Sequence, residues 1–207
     1  MPAPNITAFP SPRSPLPFDP AMPAADRHAL LIGALPPPLR NLLADGHVER
    51  RPRFSDDGFD GMTETWFPPA GVTGQLAAMA QRALDDLVMT ALAPAPTDYV
   101  LARVFALLSH FPAKGMTPDA ERLVALDWAE DLGEYPAWAI DAAARAWRRT
   151  KKWRPSIAEM RALCNDFCAG ERRLAERLQA VVQAGRQDRA RAGEVTALSA
   201  GAIRRMW

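Results

Sequence analysis

The residues that could do chemistry in this 207-residue chain are few and poorly placed for it. His28, His47 and His110 lie far apart, and none forms the i, i+4 pair that would set two imidazoles on one helical face. Cys164 and Cys168 do stand one helical turn apart, but a zinc site needs two further ligands near by and none is spaced for it. They read as buried, inert thiols in a reducing compartment. The acidic stretch Asp56-Asp57-Gly58-Phe59-Asp60-Gly61 matches part of a calcium-binding loop. The glutamate that such a loop needs at its twelfth position is Phe67 here, and the match fails. No phosphate-binding loop, dinucleotide fingerprint or nucleophile elbow occurs. The expectation is a protein without a catalytic centre, metal or cofactor.

Binding chemistry is better represented. From Trp147 to Arg154, five cations (Arg148, Arg149, Lys151, Lys152 and Arg154) and two tryptophans occupy eight residues. Cations neutralise phosphates or carboxylates, and an exposed indole stacks on a base or anchors a protein contact. Trp147 falls on the apolar face of a helix and reads as core. Trp153 precedes a helix cap, where it either staples two helices or serves a partner. Charge is polarised in the same sense. Residues 148–207 hold 14 Lys/Arg and 6 Asp/Glu, a net of +8. The remaining 147 residues carry 11 basic and 18 acidic groups, a net of −7, against +1 for the whole. The chain ends in Arg204-Arg205-Met206-Trp207, a basic-aromatic cluster suited to an interface anchor. The candidate partner-binding residues are therefore Arg148, Arg149, Lys151, Lys152, Trp153, Arg154, Arg204, Arg205 and Trp207. The plain alternative is a solvated helix face.

The elements that must position these residues are helical. Leu76, Met79, Ala80, Leu84, Leu87, Val88 and Ala91 recur at helical spacing after Thr73, and Pro94 and Pro96 end the run. Thr97 to about Phe111 forms the next helix, with Val100, Val104, Leu107 and Leu108 on one face, widened by Leu101 and Phe105. Thr117-Pro118 is a cap followed by proline at the first helical position. It opens a helix that carries Leu123, Val124, Trp128 and Leu132 and ends at Gly133. Another runs from Pro136 with Ile140, Ala143, Ala144 and Trp147 inward. Ser156-Ile157-Ala158-Glu159 is a capping box, and apolar residues follow at Ile157, Met160, Cys164, Phe167, Leu174, Leu178 and Val181 in steps of three and four, broken at Glu171. Such a seam suits a helix packed along its length on others; the plainer reading is core up to Phe167 with the rest an exposed extension.

The expected architecture is all-α: a small helical bundle over 73–184 with a long C-terminal helix, and a flexible basic tail over 185–207. A Pro-rich, largely disordered or irregular region over 1–72 precedes it. Eight of the 20 prolines fall within the first 23 residues, which read as disordered and dispensable. Residues 27–43 allow a short helix or two, and 46–72 read as loop. No apolar run reaches the roughly 18–20 residues of a membrane span, and no secretory signal opens the chain. The expected location is the cytoplasm of a bacterial host cell.

The order of elements from Tyr99 to Leu163 resembles the phage replicative helicase loader (loader and inhibitor) family. There is a helix ending in Phe111-Pro112, one with Trp128 and Leu132, and one with Ile140 and Trp147. Then comes Trp153-Arg154-Pro155-Ser156-Ile157-Ala158-Glu159-Met160, where that family has a similar Pro-Ser/Thr-Ile-Ala-Glu-Ile segment. The resemblance covers under a third of the chain. It implies a non-ATPase adaptor that binds the replicative helicase, holds it inactive and delivers it to an origin-binding protein, with a flexible C-terminal region touching the helicase. Two other readings stand beside it: a prophage regulatory protein that binds DNA through the basic third, and an assembly factor that oligomerises through the Ile157–Val181 seam.

Overall fold

A computed structural model describes residues 15–56, 58–111, 115 and 117–203, with side chains up to residue 190. Among these residues the chain runs α1 (Ala24–Ala34), α2 (Pro37–Asp45), β1 (His47–Ser55), β2 (Gly58–Phe67), α3 (Gly74–Met89), α4 (Thr97–Leu108), α5 (Pro118–Leu132), α6 (Ala137–Thr150) and α7 (Ile157–Ile203). The protein is mostly helical, with one small two-stranded sheet.

Side-chain caps open α3, α5 and α7, the last two where the sequence places them. The hydroxyl of Thr73 accepts the Leu76 amide at 3.3 Å and starts α3. Thr117 accepts from Ala120 at 3.4 Å and starts α5 with Pro118 in its first turn. At α7 the capping box is reciprocal: the Glu159 amide donates to Ser156 Oγ at 3.2 Å, and the Ser156 amide donates to Glu159 Oε2 at 2.8 Å. Each bond satisfies an amide that the helix cannot pair internally.

Two apolar cores share α7 as their spine. The first joins Val100, Val104, Leu107 and Leu108 of α4, Trp128 and Leu132 of α5, Ile140, Ala144 and Trp147 of α6, and Met160, Cys164 and Cys168 of α7. Leu163 packs against it only partly buried. The second joins Leu31, Leu39, Leu42 and Leu43 of the N-terminal helices, Ala80, Ala83 and Leu87 of α3, and Leu174, Leu178, Val181 and Val182 of α7. At 47 residues α7 is long enough, about 70 Å, to serve both.

Five sequence expectations change. The stretch beyond Phe167 is not an exposed extension, because Leu174, Leu178 and Val181 are buried against α3. The helix does not stop at Gly185. It continues to Ile203, and Gly185 marks a close approach to α3: a Cβ there would sit 2.5 Å from the Ala77 Cβ. Residues 46–72 are not all loop, since β1 and β2 pair antiparallel from His47↔Phe67 to Ser55↔Gly58, with a register shift between Pro52 and Phe54. The segment 15–23 is tied down: Leu16 and Phe18 pack on the second core, and the Phe18 ring lies 5.3 Å from that of Trp138. Residues 1–14 lie outside the described residues. On the outer faces, Phe105 and Leu123, expected to point inward, are exposed.

Glu171, the break in the apolar seam of α7, has a physical explanation. Its Oε1 accepts from Arg27 Nε of α1 at 2.9 Å, with both residues buried. The remaining guanidinium nitrogens donate to the Met22 and Phe167 carbonyls at 2.9 and 3.0 Å, and the group lies 4.6 Å over the Trp138 ring.

Candidate functional site: the basic turn between α6 and α7

The turn is built from both sides. Alanines at 139, 143 and 144 with Ile140 and Trp147 give α6 one buried face, which fixes its rotation. Arg148 and Arg149 then fall in its last turn, where cations complement the negative end of the helix dipole. Lys151 is extended, and its amide closes the helix on the Trp147 carbonyl at 2.8 Å. Pro155 is buried, and the capping box begins α7 immediately after it.

Trp147 and Trp153 lock this geometry. The Trp147 indole N–H donates to the Trp153 carbonyl at 2.9 Å, and the two rings meet edge-on at 6.1 Å. Lys151 Nζ sits 5.7 Å over Trp147 and 5.1 Å over Trp153, so one cation is tethered to both rings. Trp147 is core, as its helical position requires. Trp153 is both staple and surface, because its ring leaves 55% of the residue exposed. Hydrogen bonds from the Ser156 amide and hydroxyl, aided by Lys151, hold the Glu159 carboxyl below the usual carboxylate range.

The structure brings Arg148, Arg149, Lys151, Lys152, Trp153 and Arg154 together within one turn. Among the described residues, none of these five cations forms an ion pair. Some cations elsewhere are neutralised: Arg161 reaches Asp131 and Glu134, each at 2.7 Å, and Arg103 reaches Asp141 at 2.7 Å. Among the described residues, Arg82, Arg122, Arg145 and Arg173 are not ion-paired either, and what sets the turn apart is its density, five cations within eight residues. Arg204, Arg205 and Trp207 lie outside the described residues.

Other chemistry is sparse. Among the described residues, no group of three or more His, Cys, Asp or Glu side chains is placed to hold a metal ion. Burial pushes the Cys164 thiol up to about 12 and raises that of Cys168. Both are free thiols in the first core. Among the described residues, no helix is long and apolar enough to cross a membrane.

The β1–β2 hairpin is the surface feature that sequence reasoning missed. Trp66 anchors its base, with Arg177 of α7 stacked 5.8 Å over the ring and no room for a Cβ at Gly46 beside it. Toward the tip, Phe54 and Phe59 meet edge-on at 6.0 Å and are 69% and 64% exposed. The β-branched and aromatic run Thr63-Glu64-Thr65-Trp66-Phe67 was the available signal. Pro52 and the charges of β1 masked it.

No protein-family model matches the chain, and no curated protein or solved structure matches it either.

Proposed function

We propose that this chain is a non-catalytic adaptor of phage or prophage DNA replication, which binds the replicative helicase and helps deliver it to an origin-bound protein. The observation that carries this reading is the set of five un-neutralised cations around an exposed indole, held on the ends of two packed helices. A pre-positioned cationic surface loses little entropy when it meets an acidic partner. The likeness of Trp153–Met160 to the loader family supplies the partner's identity. The contact region comprises the basic turn and the C-terminal end, Arg204, Arg205 and Trp207 included.

One observation favours a second reading, direct binding of nucleic acid. The exposed ring of Trp153 amid cations is also what stacks on an unpaired base. The assembly-factor reading loses its surface, because Leu174, Leu178 and Val181 of the seam are consumed within the chain.

The test is purification of the tagged full chain from its native host, beside the Arg149→Glu/Lys152→Glu variant. Co-purification of the replicative helicase with the parent and its loss from the variant support the adaptor. Salt-sensitive DNA binding without helicase favours the second reading. Equal recovery of helicase with both proteins removes the turn from the account.

A further inference from the structure

Among the described residues, the hairpin tip gathers several exposed apolar side chains. Phe54, Phe59 and Met62 are 69%, 64% and 54% exposed at the end of a two-stranded ribbon. Such a ribbon has little stability of its own, and bare aromatic rings at its end are what a docking element presents. The sequence around the rings is acidic: residues 53–62 contain Arg53 against Asp56, Asp57 and Asp60. Arg53 is already engaged by Asp60 at 2.8 Å.

The complementary surface is on the same chain. The stretch 147–154 holds five cations and no acid, and Trp153 is exposed among them. Tip and turn are both open within one copy, so neither covers the other there. We propose that the hairpin tip of one copy docks on the basic turn of a second copy. Phe54 and Phe59 meet Trp153 and the flanking guanidinium groups, and Asp56 enters the cation cluster. Aromatic rings accept cations on their faces, and the opposite charges fix the orientation. Tip against tip brings acid to acid, and turn against turn brings base to base. The contact is therefore head to tail, and repeats as a ring or a chain. The overall polarity, −7 over residues 1–147 and +8 over 148–207, acts in the same sense. This pairing stands without the helicase reading. Where both hold, self-association covers the surface that the helicase needs.

Sedimentation velocity of the full chain over a wide concentration range, at low and high salt, tests the contact. The parent assembles as concentration rises, and salt reverses the assembly. Phe54→Ser/Phe59→Ser and Arg149→Glu/Lys152→Glu are each monomeric alone, all four positions being exposed and dispensable for the core. Mixed, the two variants form a one-to-one dimer, because one intact tip then meets one intact turn. A parent that stays monomeric at every concentration and at low salt overturns the proposal. So does assembly of either variant alone, or a mixture that stays monomeric while the parent assembles. Helicase co-purification reads the other claim separately.

Discussion

Arg27 Nε donates to Glu171 Oε1 at 2.9 Å across an interface where the two residues are only 5% and 1% exposed. The contact joins α1 to the first third of α7 over 144 positions of sequence. It makes the N-terminal helices part of the body that carries the basic turn. The second carboxylate oxygen, Oε2, is buried without a hydrogen-bond partner among the described residues, so the pair is anchored on the arginine side.

Removing one member of that pair leaves a buried charge behind. Arg27→Met should lower unfolding free energy by about 3–5 kcal/mol, whereas Arg27→Met/Glu171→Leu should recover most of the loss. Denaturant titration of the two variants beside the parent checks this. A single variant as stable as the parent would mean that the pair carries no weight.

At Gly185, α7 lies close against α3. Gly185→Leu forces its side chain into Ala77 and Val72 and should cost about 1–3 kcal/mol, as overpacking does. Deletion of residues 191–207, which begins beyond this contact, should leave the melting transition nearly unchanged. Equal losses from both changes would contradict the placement of Gly185 at the helix interface.

The capping box should confer a pH dependence of definite sign. The folded state holds the Glu159 carboxyl below the usual carboxylate range, first through the Ser156 amide. A carboxylate depressed in this way contributes stability above its unfolded pKa, and that stability is lost as pH falls through the lower folded value. Glu159→Gln should be less stable than the parent near neutrality and converge with it in acid. Ser156→Ala should cost roughly 0.5–2 kcal/mol at neutral pH. Thermal melts over that range test both, and a Glu159→Gln difference that grows in acid would reverse the sign.

Local signals made much of the fold legible in the sequence. The caps at Thr117 and Ser156 and the stop at Gly133 depend on neighbours a few positions away, and so do the apolar faces of α4, α6 and α7. The candidate site was legible for the same reason, being contiguous from Trp147 to Arg154. What stayed hidden depends on distant partners. Glu171 looks like a flaw in a seam until Arg27 arrives from 144 positions away. Gly185 looks like a helix end until α3 is packed beside it. The hairpin hid because its strands are charged on exposed faces, and a two-stranded ribbon buries too little to impose a clear alternation. Phe105 and Leu123 show the converse error, where an apolar residue on a helix was assigned inward although nothing covers it.

The turn between α6 and α7 is proposed above as a docking surface for the replicative helicase. Its most direct test is the affinity of purified helicase for the full chain and for Arg149→Glu/Lys152→Glu, measured at low and physiological salt. The parent should bind saturably, and its binding should weaken with salt. The charge-reversed protein, equally folded by circular dichroism, should bind at least about tenfold more weakly, since reversed charges at an acidic contact repel. Equal affinity of the two proteins, or no binding of helicase by the parent at either salt, would contradict that role.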